Sequence, residues 1–398
     1  QKGRLDLGDF YLLPKRKEQT IKEVVVKATK IQMYYKGDRN FLKITKPKVS
    51  RFDFSFSGIK TAIINFDNNM KMKNQEYKKE DLILSNDNYQ SLVGAAIERL
   101  GTIIEEFTHE NSKIYIHNPP RYLYEYINKL YKKNLIELTV KNEVYSIVKD
   151  ENNFNIKIDS IKQKIIGQNN AVNEISKSLW YLTKINTKKP YVVMLYGKSS
   201  IGKTELVREI AKEFFDNIFF EKHLSMFKNN QSFDYLFGTE LNRRSLGYDL
   251  LERESNLIFL DEFDKCETSF YSAFYTLFDN EIFKDANYDV NMSGTLIILT
   301  ANYNSLEDMK KYLGLPIFYR IDKFIKFEDF ESSTIYAIVK KEISSRKKEL
   351  GSLLDEELIY SKVSVLVNTQ GENARTIKSK VQGVIEELLF ENYVNTEN

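Results

Sequence analysis

The sequence predicts an α/β protein in which a parallel-sheet domain is followed by a small helical domain and preceded by an α+β region. Three observations predict it. Apolar runs at Tyr191–Tyr196, Leu257–Leu260 and Leu296–Leu299 are short, continuous and separated by helical stretches, as expected of parallel strands buried on both faces. The first run leads at once into the glycine loop "GKSSIGKT" and a helical pattern, "ELVREIAKEFF". From about Glu328 the chain reads as helix to its end.

Composition sets the bounds. The 398 residues are 42% hydrophobic and 29% charged, enough for two or three domains with sizeable cores. No apolar run approaches the ~20 residues that span a bilayer, so no membrane contact is expected. The single cysteine, Cys266, has no disulfide partner, and the three histidines are scattered, which excludes a structural zinc cluster. A reducing, cytoplasmic setting fits this cysteine usage. Residues 1–50 hold 13 Lys and Arg against 5 Asp and Glu, and the net charge of +3 leaves the remainder acidic. Such a basic segment could meet nucleic acid, an acidic partner or a membrane surface, though it is more often a solvated face.

Residues 1–150 are read as an α+β recognition domain. "EVVVKATKIQMYY" and "RFDFSFSGIKTAIINF" read as strands, the second opening with alternating Phe52, Phe54 and Phe56. "SLVGAAIERLGTIIEEF" reads as an amphipathic helix. "SKIYIH", a helix "RYLYEYINKLYKK" and a hairpin turning at Lys141-Asn142 follow. The polar stretch 149–160 reads as a linker. Residues 151–328 form the parallel-sheet domain and 329–398 the helical one. Three helices are expected there, the first capped by Ser332 or Ser333.

Gly197, Gly202, Lys203 and Thr204 satisfy G-x-x-x-x-G-K-[ST]. A loop that wraps an anion with backbone N–H groups needs glycines for close approach, and the following helix points its positive end at the phosphates. Gly197, Lys198, Ser199, Ser200, Ile201, Gly202, Lys203, Thr204 and Glu205 are therefore the candidate ATP-binding segment. Lys203 would meet the β- and γ-phosphates, and the Thr204 hydroxyl would ligate Mg²⁺. The run "NLIFLDEFDK" delivers Asp261 and Glu262 to a strand end, where two carboxylates are costly unless they serve a charge. Asp261 would hold Mg²⁺ through water, and Glu262 would activate the attacking water. Asn302, just past a third strand, could place its amide on that water or on the γ-phosphate.

In this order, the motifs resemble those of AAA+ ATPases, and among them the Clp family of protein unfoldases and disaggregases. The resemblance runs from about Ile161 to Leu389. "KIIGQNNAVNEISKSLW" is similar to the family's opening segment, which implies that Ile165 and Ile166, with Gly167 and Gln168, flank the adenine. "LTANYNS" resembles sensor 1, with Asn302 as the sensor. "PIFYRID" resembles the arginine-finger segment, one residue shorter, and implies that Arg320 acts on a neighbouring subunit's nucleotide within a ring, usually a hexamer. "GENARTIKSKVQGVIEELL" resembles the sensor 2 helix and implies that Arg375 reaches the γ-phosphate. Hydrolysis at Glu262, aided by Asn302, Arg320 and Arg375, would then move a partner.

Two functions follow from different classes. One is an ATP-hydrolysing ring that remodels a protein selected by residues 1–150. The alternative is a nucleotide-gated switch or assembly ATPase in a defence or DNA-transaction complex, touching nucleic acid through the basic segment. Between the P-loop helix and Asp261 the family's substrate-gripping Gly-Tyr-Val-Gly loop has no clean counterpart. Phe237, the loop around Arg243-Arg244, and Tyr248 are the competing positions.

Overall fold

The computed structural model describes residues 29–35, 79–84, 100–101, 108–142, 145, 152–227, 230–240, 243–351, 353–368 and 371–397. The chain divides into two compact units, 1–143 with 238–252 and 285–289, and 144–237 with 253–284 and 290–398.

In the first unit, strands β1 (Thr29–Tyr35), β2 (Lys79–Leu84), β3 (Thr108–His117) and β4 (Ile136–Asn142) form a sheet in the order β2-β3-β1-β4. Every pairing is parallel, with Ile31 opposite Ile114 on one side and Leu138 on the other. Helix α1 (Arg121–Lys132) buries Leu123, Ile127 and Leu130, a stripe at helical spacing. The turn expected at Lys141-Asn142 is not formed. Those residues continue β4 beside Tyr34 and Tyr35 of β1. The α+β reading assumed that hairpin, whereas the described strands pair only in parallel. The strand and helix expected over 51–66 and 91–107 lie outside the described residues, apart from a helical Leu100-Gly101.

The second unit opens with α2 (Phe154–Lys164) and α3 (Asn169–Lys184). Residues 154–160, expected as linker, are the first turns of α2. Their polarity conceals Phe154 and Ile158, which with Ile161 repeat every three or four residues and are buried. Next come β5 (Tyr191–Tyr196), α4 (Lys203–Phe214), β6 (Phe220–His223), α5 (Asn230–Phe237), and α6 (Leu246–Glu252), which is grouped with the first unit. β7 (Leu257–Asp261), α7 (Tyr271–Asp279), the short strands β8 (Ile282–Lys284) and β9 (Asp289–Asn291), β10 (Leu296–Ala301), α8 (Leu306–Phe318) and β11 (Lys323–Lys326) complete the sheet region.

Five strands pair in parallel in the order β11-β5-β10-β7-β6. The central strands are buried along their whole length, which explains their unbroken apolar runs. Leu206, Ile210 and Phe214 of α4 pack with Ile175 and Leu179 of α3 and with Val193, Phe259 and Ile298 of the sheet in one core.

Helices α9 (Ser332–Leu350), α10 (Glu356–Leu366) and α11 (Ala374–Glu397) form the helical region, close to the bounds expected. Ile335, Val339, Ile359, Val363, Ile377 and Val381 make its core. Ser332 is the first residue of α9 rather than its cap. Glu331 precedes it in extended conformation and makes no capping bond.

Candidate nucleotide site

The strand order places three chemical tips side by side. β5, β10 and β7 are neighbours, with Ala301 opposite Tyr196 and Leu299 opposite Leu260. Gly197 and Asn302 are the residues immediately after one paired position, and Asp261 ends the next strand. Residues separated by about a hundred positions thus meet at one sheet edge, the C-terminal edge, where open parallel sheets bind their ligands.

The loop between β5 and α4 is shaped for close approach. Gly197 has φ +140°, and a Cβ there would lie 2.6 Å from the Phe327 carbonyl oxygen. Gly202 is left-handed and Ser200 has φ +62°. Ile201 is buried in the core and anchors the loop, while Lys198 is exposed and pairs with Asp329 at 2.5 Å. Ser199 and Ser200 bring their hydroxyls to 3.4 Å of each other, and Glu205 is exposed in the first turn of α4.

Lys203 is 7% exposed. Its Nζ donates to the carbonyl oxygens of Gly197 (2.7 Å) and Lys198 (2.5 Å) and to Asn302 Oδ1 (3.0 Å). Burial pulls its pKa down to about 8, against the attraction of Asp264 and Asp261. The hydrogen-bond acceptors of this buried ammonium are all neutral oxygens, with the carboxylates of Asp264 and Asp261 acting only through space, so a phosphate could still make a direct ion pair with it.

Asp261 has two faces. Its Oδ1 accepts from Thr300 Oγ1 and from the Glu262 N–H at 3.1 Å. Its Oδ2 lies 3.5 Å from Thr204 Oγ1 and 3.4 Å from His223 Nδ1. Glu262 is half-buried in a left-handed conformation, φ +56°, with its N–H shared between Asp261 and Thr300 Oγ1 (3.0 Å). That uncommon backbone geometry turns the side chain away from the course of the strand. The donor set of a hydroxyl and a carboxylate beside a buried lysine fits a Mg²⁺–nucleotide, with hard oxygen ligands for the ion. Thr204 and Asp261 would hold the ion, which would neutralise charge on the phosphates.

The other expected residues fall in three places. Ile165 is buried in the core and Ile166 half-buried. Between them and α3, Gln168 donates to the carbonyl oxygens of Ile201 (3.3 Å) and Glu328 (2.8 Å) and accepts from the Glu328 N–H (3.1 Å). Arg375 is exposed in the first turn of α11, and the preceding Ala374 N–H donates to the Ser200 carbonyl at 2.9 Å, so α11 begins against the phosphate loop. Arg320 is not at this edge. Its Nε lies 2.6 Å from Asp279 Oδ2, Nη1 donates to the Pro316 carbonyl (2.6 Å), and the guanidinium sits over Tyr275. Thr300 and His223 were not expected at the site. Thr300 had a signal, a hydroxyl in an otherwise apolar strand; His223 had none, because Asp261, which it approaches at the site, is on another strand.

Residues 188–359 match the family model of the AAA domain of the Cdc48 subfamily. Across most of the chain the similarity is to Clp chaperones. The chaperone protein ClpB of Mycoplasmoides gallisepticum is 24% identical over 347 residues, covering 74% of this chain and 47% of that protein. ClpB of Prochlorococcus marinus is 24% identical over 357 residues, covering 80% of this chain and 38% of that protein. Residues 188–359 thus resemble an AAA domain, and most of the chain is similar to Clp chaperones. It spans about half the length, or less, of these relatives. A separate short match, 93% identical over 54 residues, is to the tRNA N6-adenosine threonylcarbamoyltransferase of Fusobacterium nucleatum and covers 14% of this chain and 16% of that protein. No described helix of this chain is long and apolar enough to cross a membrane.

Among the positions weighed for a substrate-gripping aromatic, Tyr248 is 1% exposed and packs edge-on against Tyr288 inside the first unit, so it is a core residue. Phe237 ends α5 and packs on Phe233 with ring centroids 4.4 Å apart. Arg243 and Arg244 are exposed, with Arg243 paired to Glu240.

Proposed function

We propose that this AAA+ chain hydrolyses ATP in a ring of identical subunits and uses the energy to remodel a protein partner, which residues 1–150 select. The observation that carries the reading is the convergence of Lys203, Thr204, Asp261, Glu262 and Asn302 on one sheet edge around a buried ammonium whose hydrogen-bond acceptors are all neutral. ATP binds on the Gly197–Thr204 loop with Mg²⁺ on Thr204 and Asp261. Glu262 activates water, and Asn302, already bonded to Lys203, orients the γ-phosphate end. Arg375 closes on the same phosphate from the helical region, whose α11 starts at Ser200. Gln168 ties the loop residue Ile201 to Glu328, the residue that leads into α9, so a change at the phosphates has a hydrogen-bonded route to the helical region. Arg320, engaged with Asp279 and Tyr275, serves a neighbouring subunit.

The pure full chain should turn over ATP, and an unfolded protein should stimulate it several-fold. Arg320→Ala should lower turnover by about tenfold or more, and mixing it with Glu262→Gln chains should restore part of the rate, because each variant supplies what the other lacks. Turnover stimulated instead by DNA or RNA, and lost steeply with salt through counterion release, would replace the remodelling reading with the nucleic-acid switch.

A further inference from the structure

One group beside the nucleotide edge has no part in the mechanism above. His223 ends β6, opposite Asp261 at the end of β7. Its Nδ1 lies 3.4 Å from Asp261 Oδ2, the same oxygen that faces Thr204 Oγ1 at 3.5 Å. Its Nε2 lies 3.5 Å from Oε1 of Glu221, two residues earlier in the strand. Glu221 Oε1 is buried without a hydrogen-bond donor. One ligand atom from each of Glu221, His223 and Asp261 fits within 4.8 Å of the others.

This pattern has a chemical meaning. Two ligands bound to one ion at ~2.1 Å, at right angles or tetrahedrally, sit about 3.0–3.4 Å apart. His223 Nδ1 and Asp261 Oδ2 have that spacing. A histidine that binds a metal through one ring nitrogen usually donates the other N–H to a carboxylate, which fixes tautomer and ring orientation. Glu221 stands at the second nitrogen and has an oxygen in need of a donor. With Nε2–H given to Glu221, the Nδ1 lone pair faces the Asp261–Thr204 side.

Resting on the nucleotide reading above, we propose that His223 is an inner ligand of the divalent ion bound with the nucleotide, beside Asp261 and Thr204, and that Glu221 orients it. A nitrogen ligand then sets the metal preference of the site. Mg²⁺ favours an all-oxygen shell, whereas imidazole favours first-row transition ions. The site therefore holds Mn²⁺ more tightly than an all-oxygen site would, while still accepting Mg²⁺.

The test uses Mn²⁺ as a spin probe on the full chain with bound ADP. Pulsed electron paramagnetic resonance should show a ¹⁴N coupling from one directly bound imidazole, lost in His223→Ala. By titration, His223→Ala and Glu221→Gln should each weaken Mn²⁺ about tenfold or more and Mg²⁺ by less than about twofold. Nucleotide binding with Mn²⁺ but without nitrogen coupling in the unaltered chain would overturn the inference and leave the ATPase reading standing. Equal losses for Mn²⁺ and Mg²⁺ in the variants would overturn it too. If no nucleotide binds with either ion, both readings fall together.

Discussion

Two buried charges in this chain, Asp285 and Lys203, are paired in different ways, and the difference is what the proposed nucleotide site rests on. Asp285, in the first unit, is a buried carboxylate that accepts from Ser245 Oγ (2.6 Å) and from the N–H groups of Gly247 (3.0 Å), Asn287 (2.8 Å) and Tyr288 (2.7 Å). Burial raises its pKa even so, and the four donors work the other way. Gly247 permits the approach, since a Cβ there would collide with the carboxylate. Around the same loop, Arg121 donates to Asp289 and to the carbonyl oxygens of Asp285, Ala286 and Tyr288. Every lone pair has a use inside the fold. Lys203, in the second unit, is equally hidden but is held by neutral acceptors alone, two of them from its own loop. Asp285 is fully solvated by protein, so its bonds build the loop. Lys203 keeps an unspent positive charge, which an incoming phosphate would use.

Substitution should separate the two most sharply. Lys203→Met should reduce nucleotide affinity by ~100-fold or more, while the melting temperature without nucleotide stays the same or rises, because a desolvated charge has been removed. Nucleotide titration and a thermal melt read both effects. A large fall in stability would show that Lys203 is structural and break the contrast. Asp285→Ala should do the reverse. It strands several buried donors, with a cost of about 2–5 kcal/mol, and should leave nucleotide affinity within about threefold. Hydrogen exchange should quicken at the Gly247, Asn287 and Tyr288 amides first.

A smaller effect lies in pH. The free Lys203 titrates near 8, below its ordinary value, and a phosphate beside it would raise that value. Nucleotide binding then favours the protonated lysine. Affinity should be full below pH 8 and fall by up to ~tenfold per unit as pH rises through 8. Isothermal calorimetry in two buffers should register proton uptake at pH 9 and little at pH 6. The same shift has the opposite sign for the empty fold. Between 8 and 10.5 the unfolded chain holds the extra proton, so that contribution to stability improves as pH rises. Affinity that is flat from pH 7 to 9 would mean that the ammonium is not desolvated.

The convergence of Lys203, Asp261, Glu262 and Asn302 on one sheet edge was largely legible in the sequence because its signals are local. Gly197–Thr204 is one loop between one strand and one helix, and Asp261, Glu262 and Asn302 each follow an apolar run that can only be buried strand. What escaped depends on pairing between distant segments. Lys141-Asn142 has turn chemistry, yet β1, over a hundred residues earlier, offers a parallel edge that keeps those residues extended. Residues 154–160, the second half of the Asn-rich stretch 149–160, looked like linker because the apolar stripe of α2 is thin, and packing against α4 supplies the stability that propensity does not. His223 carries no pattern of its own, and Thr300 only a lone hydroxyl in an apolar strand. They matter because β6 and β10 flank β7, a fact of strand order. The grouping of 238–252 and 285–289 with the first unit is equally invisible, since it involves Asn118, which donates to Leu251 and Glu252, and Arg121, which donates to the 285–289 loop.

The central claim is that the edge built by Lys203, Asp261, Glu262 and Asn302 binds ATP and hydrolyses it. It is tested most directly by measuring nucleotide affinity and ATP turnover together for the Glu262→Gln chain. The variant keeps the shape of the site and removes the carboxylate that activates water. ATP affinity should stay within about threefold of the unaltered chain while turnover falls by about a hundredfold or more. Unchanged turnover in Glu262→Gln would contradict the account.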